Sequence, residues 1–433
     1  MVTRRFSLPF VQAALALAAF ALGGAGRAAP LPLELRLEVP EPFIQAGQLK
    51  TEVIVKRLPL PQDAVTTSRK VGRLSVALDA ALTGLLDGLA RDPVPPRFEF
   101  LDGHWVAKQH SGWTVDAAKT RRDVLNAILN AGETAPVTLT TTPPTPDAPS
   151  LFEAGVTQLV GSGVSRFAGS PPFRVTNIRV GIQHLDSLFL PQGATFSFND
   201  SLGPTTADEG YVNGYVILGG TLALEPGGGI CQVSTTVFRA AWTAGLPLVE
   251  RHNHSYLVHY YDPPGLEATV YAPQLDFKFK NDTPGGLYFQ WTLDTATATA
   301  RLDLFGAARD RKTTLFDPVI LATTPAPGPR YTADASVPLG SQWLVDNAEP
   351  GVKVYVSRRV DFPDGTVKND RLNSNYTPWG AIWRVNPDDP RVAPPKPATP
   401  PTDAAPAKPA SPAPKAAPAK PTVPAKDATK RAG

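Results

Sequence analysis

The sequence predicts an α+β fold arranged in several modules. Strand-like alternation of apolar and polar residues recurs along the chain, beginning with Leu33–Val39 and Thr51–Lys56. Apolar residues at helical spacing mark fewer segments, including 77–90 and the stretch that follows three glycines at 227–229. A chain of 433 residues also exceeds the size at which a single hydrophobic core stops growing, which indicates two or three domains.

The N-terminal segment, residues 1–28, has the pattern of a secretory signal. Arg4 and Arg5 precede the apolar run Ala13–Leu22, and small residues suit cleavage after Ala28. An uncleaved N-terminal anchor shares this pattern and is the alternative. We therefore expect an exported protein, located in the cell wall, the periplasm or the extracellular medium, and at most peripheral to a membrane.

The C-terminal segment, residues 391–433, is rich in Pro, Ala and Lys and lacks aromatic residues. This composition offers too little apolar surface to offset the entropy of ordering, so we expect a disordered tail. The tail carries eight Lys or Arg against two Asp, and residues 1–28 carry three Arg, so the net charge of +3 leaves −6 for the residues between them. An acidic body argues against a nucleic-acid partner.

Three modules are predicted between these ends, at residues 31–146, 151–305 and 312–388. The first is an α+β module with helices at 77–90 and 116–132 and a hairpin that turns at Asp102 and Gly103. The second is a β-rich domain with one well-marked helix, which carries the cysteine. The third is a small β module.

The most specific motif surrounds the single cysteine, in the string Gly227-Gly228-Gly229-Ile230-Cys231-Gln232-Val233-Ser234-Thr235-Thr236. A helical pattern starts directly after the glycines, which places Cys231 at a helix N-terminus. The helix dipole and the unpaired N–H groups there favour the thiolate, so Cys231 is a candidate nucleophile. The same region can bind an oxyanion. The predicted binding or oxyanion residues are Gly228, Gly229, Gln232, Ser234, Asn253 and Glu267.

A base for the cysteine is sought among three histidines that fall within eight residues, His252, His254 and His259. In a strand, His252 and His254 share one face and His259 points away, so either of the first two is a candidate base. Glu250, Asn253 or a later acid would orient the ring, and Glu267 and Asp276 are the later candidates.

Two other interpretations of the cysteine remain open. A lone cysteine is often a buried structural residue, and the glycine run can mark only a tight turn before the helix. Cys231 with His252 and His254 also has ligand types that suit zinc, although no fourth ligand is indicated. One cysteine excludes intramolecular disulfides and multi-cysteine metal sites. We predict neither a metal nor a cofactor.

Residues 174–281 closely resemble the VanW-like family, named after an accessory protein of vancomycin-resistance clusters. The matching segments are Arg174-x-x-Asn177-Ile178, Phe196-Ser197-Phe198-Asn199, Gly203-Pro204, Gly210-Tyr211, the cysteine string, Glu250-Arg251-His252-x-His254-Ser255, Ala268-Thr269-Val270 and Asp276-Phe277-Lys278-Phe279-Lys280-Asn281. Residues 31–146 resemble the peptidoglycan-binding domain that precedes this domain in cell-wall relatives. Glu267 departs from the family, in which Asp usually precedes Ala-Thr-Val.

The resemblance implies an exported cell-envelope protein that acts on or binds peptidoglycan, and it supplies no reaction. The leading hypothesis is acyl transfer or hydrolysis in stem peptides, with Cys231 as nucleophile and His252 or His254 as base. The rival hypothesis is a non-catalytic wall-binding or scaffold protein in which Cys231 is structural.

Overall fold

The computed structural model describes residues 32–218, 221–307 and 310–392. The predicted signal at 1–28 and the predicted tail beyond residue 392 lie outside these residues. The predicted α+β class is confirmed. Among the described residues, one compact unit runs to Gly328 and resumes over Ala348–Gly380, and a second unit holds Pro329–Asn347 and the chain from Ala381 onward. The residues 312–388 that we predict as one module are thus shared between the two units.

The helices of the described residues are α1 Gln62–Val71, α2 Val76–Asp87, α3 Ala117–Leu129, α4 Ala148–Glu153, α5 Pro172–Leu185, α6 Phe198–Leu202 and α7 Ile230–Thr243, with single 3₁₀ turns at Ala207–Glu209 and His259–Tyr261. None of them has the length and hydrophobicity that a membrane crossing requires.

The strands of the described residues are β1 Glu34–Gln45, β2 Gln48–Pro59, β3 Val94–Leu101, β4 His104–His110, β5 Gly112–Val115, β6 Thr134–Pro136, β7 Leu139–Thr142, β8 Gln158–Arg166, β9 Phe189–Leu190, β10 Thr195–Ser197, β11 Asn213–Leu218, β12 Thr221–Pro226, β13 Leu248–Glu250, β14 Lys278–Lys280, β15 Leu287–Asp294, β16 Thr299–Gly306, β17 Lys312–Thr324, β18 Arg330–Ala333, β19 Gln342–Asp346, β20 Gly351–Asp361, β21 Val367–Tyr376 and β22 Ile382–Val385.

The N-terminal part of the first unit is a sheet in the order β2-β1-β4-β3, covered by α1, α2 and α3. Alternate residues of β1 are buried because one face of the strand packs under the helices. Both helices predicted here are present, and Asp116 caps the N-terminus of α3 by accepting a hydrogen bond from the Lys119 amide at 2.7 Å. The predicted hairpin is also confirmed as β3 and β4.

Strand β3 joins this sheet to the central domain. The amide of Phe98 donates to Gln290 Oε1 at 2.6 Å, and Gln290 Nε2 donates back to the Phe98 carbonyl at 3.0 Å. The Phe98 ring stacks on Phe305 with centroids 4.1 Å apart, and Arg97 Nη1 donates to both carboxylate oxygens of Asp186. The N-terminal module and the central domain are therefore parts of one packed body.

The central domain is a sheet in the order β8-β16-β15-β9, with α7 lying against β8. Sequence patterning does not predict the other long helix, α5, because its buried face carries the polar residues Arg174 and Asn177 beside Ile178 and Ile182. Helix α5 packs on α7 at the end where the cysteine lies, as Gly181 approaches Ile230 and Val233.

Glycines in β8 allow α7 to approach the sheet closely. A Cβ atom at Gly163 would overlap the carbonyl oxygen of Thr236 and lie 2.5 Å from the amide nitrogen of Ala240. Gly163→Ala is therefore expected to lower the free energy of unfolding by about 2–3 kcal/mol, because the backbone of α7 must move. Chemical denaturation measures the change. Gly84→Ala is the control, since its Cβ would enter open space on α2 and stabilise that helix slightly; equal effects of the two changes would contradict the packing.

Two small sheets lie in the C-terminal part of the described chain. The sheet β17-β20-β21 belongs to the first unit, and the sheet β18-β22-β19 belongs to the second. In the first sheet, β20 alternates buried and exposed residues, and Val356 enters the core of the central domain. The hairpin of β20 and β21 is thus packed onto the domain that holds the cysteine.

Candidate active site

Cys231 is the second residue of α7, as predicted from the glycine-rich string. Gly229 precedes the helix with φ +115°, a conformation that side chains other than glycine rarely adopt. A Cβ at this position would also lie 2.8 Å from Arg174 Cγ. Glycine is therefore required twice over for the turn that presents the thiol, which is itself only partly buried.

His254 and Glu267 form a buried pair beside the thiol. His254 Nδ1 lies 2.5 Å from Glu267 Oε2, and the His254 amide donates to Glu267 Oε1 at 3.1 Å. The His254 imidazole lies close enough to the Cys231 thiol to lower its pKa against the opposing effect of burial. The side chains of His254 and Glu267 are only 5% and 2% exposed, so the pair is shielded from water. The structure thus places the imidazole of His254 between the Cys231 thiol and the Glu267 carboxylate.

The remaining neighbours of the sulfur come from the chain just after Glu267. Cys231 Sγ lies 3.6 Å from Thr269 Oγ1 and 3.7 Å from the Val270 carbonyl oxygen. Tyr261 stacks on the His254 ring with centroids 4.9 Å apart. These contacts hold the ring and the sulfur in fixed positions.

The electrostatics favour an ionised site. Burial alone raises the pKa of the Cys231 thiol, but the hydrogen bond and positive charge of His254 bring the pKa below its usual value. Burial alone lowers the pKa of His254, but the charge of Glu267 and the bonds to Cys231 and Glu267 raise it to about 10. The lowered pKa of the thiol and the raised pKa of the imidazole both favour a thiolate beside an imidazolium.

His252 and Glu250 are placed together but apart from this triad. His252 Nε2 lies 3.0 Å from Glu250 Oε1, and Lys278 Nζ donates to Glu250 Oε2 at 2.9 Å. The bond from Lys278, with those from His252 and the Asp276 amide, lowers the pKa of Glu250 to about 2. Of the two candidate bases, the structure pairs His254 with the thiol and His252 with a half-exposed carboxylate.

The polar groups of the predicted binding residues mostly form hydrogen bonds with other groups of the protein around the site. Gln232 Oε1 accepts from Arg174 Nη2 at 2.7 Å, and Ser234 Oγ donates to the Ala268 carbonyl at 2.6 Å. Asn253 Nδ2 donates to the His254 carbonyl at 2.7 Å, and the Gly228 carbonyl accepts from Asn177 Nδ2 at 3.0 Å. Their polar groups are thus engaged within the protein. Asp276 likewise accepts from Ser197 and from the Asn199 amide, and His259 packs on Tyr260.

Two groups that support Glu267 are not found by sequence reasoning. The Tyr376 hydroxyl accepts a hydrogen bond at 2.9 Å from the amide of Gly265, two residues before Glu267, and Arg251 Nε donates to the Glu267 carbonyl oxygen at 2.7 Å. Arg251 is adjacent to the histidine motif in the sequence, and this proximity could have marked it as a site residue. Tyr376 lies in β21, far from the motif in sequence, and no local pattern marks it. Across residues 32–218, 221–307 and 310–392, no cluster of three or more His, Cys, Asp or Glu is placed to hold a metal ion.

Comparison with known proteins identifies the domain that carries this site. Residues 173–302 match the family model described as VanW like protein, which confirms the predicted resemblance for this part of the chain. The match includes Cys231, His254 and Glu267 and ends before β17.

Two curated proteins are similar to this chain over the same region. The uncharacterized protein YoaR of Bacillus subtilis (strain 168) is 41% identical over 125 residues, which are 29% of this chain and 41% of YoaR. The vancomycin B-type resistance protein VanW of Enterococcus faecalis (strain ATCC 700802 / V583) is 29% identical over 127 residues, which are 28% of this chain and 46% of that protein. The chain thus spans less than half the length of either relative. Among solved structures, the crystal structure of HP0197-G5 matches 18% of this chain and 97% of its own, at 26% identity and a TM-score of 0.10.

Proposed function

We propose that this protein acts on peptidoglycan in the bacterial cell envelope, with Cys231 as the nucleophile for hydrolysis or transfer of an acyl group in stem peptides. The observation that carries the proposal is that Cys231, at the start of α7, lies beside the hydrogen-bonded pair His254 and Glu267. A nucleophile, a base and a residue that orients the base are the parts that covalent acyl transfer requires.

The envelope setting is supported by two observations of a different kind. One relative of the VanW-like domain is named for vancomycin resistance. Residues 1–28 also have the sequence pattern of an export signal. The N-terminal module, which resembles a peptidoglycan-binding domain in sequence, would hold the wall polymer while the docked VanW-like domain reaches its peptides.

The reaction follows from the positions of the three side chains. The Cys231 thiolate attacks the carbonyl carbon of an amide, and the negative charge passes to the carbonyl oxygen. In this proposal the positive end of the α7 dipole stabilises that oxyanion, together with the Cys231 amide. The His254 imidazolium then donates its proton to the leaving amine, and the C–N bond breaks to give a thioester. Water or an acceptor amine attacks the thioester, His254 takes the proton, and the thiolate leaves.

The test compares the mature wild-type protein with Cys231→Ala and Cys231→Ser on muropeptides from digested peptidoglycan. We expect wild-type protein to change the muropeptide profile and both variants to lose the activity by about 10³-fold or more, since a hydroxyl is not ionised at neutral pH. Liquid chromatography with mass spectrometry measures the products. Identical profiles with all three proteins would refute catalysis by Cys231.

The pH dependence of thiol alkylation tests the site without a substrate. Because the pKa of Cys231 is lowered, the thiolate persists as the pH falls below about 8.5, the value for a free thiol, and disappears only below the lowered pKa. We expect iodoacetamide to label native wild-type protein faster at pH 6–7 than it labels free cysteine. A Cys231 that reacts slowly when native and quickly when unfolded would instead favour the scaffold hypothesis, in which the cysteine is a packed structural residue.

A further inference from the structure

The loop that carries Glu267 is bound from outside the matched VanW-like segment, by the last residue of β21. Tyr376 is 2% exposed, and its hydroxyl oxygen accepts a hydrogen bond from the Gly265 amide at 2.9 Å. Burial and the nearby charge of Glu267 both raise the pKa of this hydroxyl. The Tyr376 oxygen accepts from the Gly265 N–H, so the hydroxyl proton remains available to be donated towards the Glu267 carboxylate.

Resting on the proposed function, we propose that Tyr376 is a positioning residue for the Cys231 and His254 pair, acting through Glu267. The functional unit would then extend past residues 173–302 to the hairpin of β20 and β21. Tyr376 does not touch the sulfur or the imidazole in this arrangement; it aims the carboxylate that orients the imidazole.

The hairpin is anchored to the loop that carries the site at several points. Arg251 Nη1 donates to Ser374 Oγ at 2.8 Å, which ties the histidine motif to β21. Just after the strand, the Thr377 amide donates to the Ser255 carbonyl at 2.8 Å. On the facing strand, Val356 packs so closely on Gly265 that a Cβ there would lie 2.9 Å from Val356 Cγ1. These contacts fix the phenol relative to Glu267.

The role of the phenol follows from the burial of the carboxylate. Burial raises the pKa of Glu267, and the charge and hydrogen bond of His254, the bond from Tyr376 and the charge of Arg251 bring it below its usual value. Without the phenol hydroxyl, the Gly265 amide loses its acceptor at 2.9 Å. The backbone that carries the buried Glu267 side chain is then held less firmly, and the carboxylate can rotate away from His254. When Glu267 turns away, the positive charge on His254 is stabilised less. The Cys231 thiolate then loses part of the positive charge that stabilises it, and the pKa of the thiol rises.

The test is the pH profile of Cys231 alkylation by iodoacetamide in the full chain, for wild type, Tyr376→Phe, Glu267→Gln and the double variant. We expect Tyr376→Phe to raise the pH midpoint by about one unit, a tenfold loss of thiolate below the midpoint. Glu267→Gln should raise it further. The double variant should have the same pH midpoint as Glu267→Gln alone, because the effect of Tyr376→Phe passes through Glu267.

Two matched variants separate positioning from a loosened hairpin. Tyr355→Phe makes the same change on β20, where Tyr355 pairs with Asn373 and lies under Arg371, and it should leave the midpoint at the wild-type value. Ser374→Ala removes a hairpin anchor while Tyr376 stays, so its shift measures the effect of a loosened hairpin; a shift as large as that of Tyr376→Phe would overturn the role of the phenol. A midpoint in Tyr376→Phe equal to wild type, or a shift that adds fully to that of Glu267→Gln, would overturn the role of Tyr376 alone. A wild-type midpoint near that of free cysteine would overturn the proposed function itself, and this role with it.

Discussion

His254→Ala is expected to remove most of the reactivity of Cys231 at neutral and mildly acidic pH. The variant loses the imidazolium whose hydrogen bond and charge lower the thiol pKa, while the burial that raises it remains. The proton for the leaving amine is lost as well. We expect alkylation at pH 6 to fall by at least about tenfold, and acyl transfer to fall by about 10²–10⁴-fold, the usual contribution of a general acid–base.

His252→Ala is the matched control for this prediction. His252 lies two residues from His254, but its ring bonds Glu250 and is 40% exposed. We expect its alkylation profile to coincide with that of wild type. The measurement is the rate of iodoacetamide labelling from pH 4 to 10, followed by intact-protein mass spectrometry. If His252→Ala lost reactivity and His254→Ala kept it, the assignment of the base would be reversed.

Arg358→Ala is expected to lower the free energy of unfolding by about 3–5 kcal/mol. The Arg358 side chain is 0% exposed and extends from β20 to the C-terminal end of α7. It donates to the Trp242 carbonyl at 2.7 Å and to the carbonyls of Ala241 and Leu246, and it pairs with Asp370. Alanine would leave these buried carbonyls without their donor and Asp370 without its partner.

The neighbouring residue supplies the control for Arg358. Arg359 points to the other face of β20, is 50% exposed and pairs with Asp361 near the surface. Arg359→Ala is expected to leave the unfolding midpoint close to that of wild type, because exposed ion pairs are screened by solvent. Arg358→Lys keeps the positive charge but lacks the planar guanidinium that donates several hydrogen bonds at once. Its unfolding midpoint should lie between those of wild type and Arg358→Ala. Urea denaturation of the full chain measures all three, and equal midpoints for the alanine variants would show that the contacts of Arg358 contribute no net stability.

Local patterns predicted the elements whose signals are local. The start of α7 is one example, because it is marked by three glycines followed directly by apolar residues at helical spacing, all close together in the sequence. The caps and apolar faces of α2 and α3 are others. The candidate nucleophile could be found in the same way, since the chain has one cysteine and it stands at a helix start.

The choice between the two histidines could not be made from local pattern. The argument from strand parity assumes an extended strand through both residues, but β13 ends at Glu250 and the chain then leaves the sheet. What distinguishes His254 is its burial against Glu267, a residue brought to it by the fold. The longer side chain of Glu267, where relatives usually carry Asp, does not prevent it from reaching both the amide and the ring of His254.

By itself, the sequence determined the α+β class, the helix that presents Cys231, and the small set of residues from which a triad is drawn. Only the tertiary structure pairs His254 with Glu267 beside the thiol and packs α5, Arg358 and Tyr376 around them. The physical reason is that helix starts and strands depend on interactions within a few residues. Burial, ion pairing and the aim of a carboxylate depend on groups that approach only when distant segments pack together.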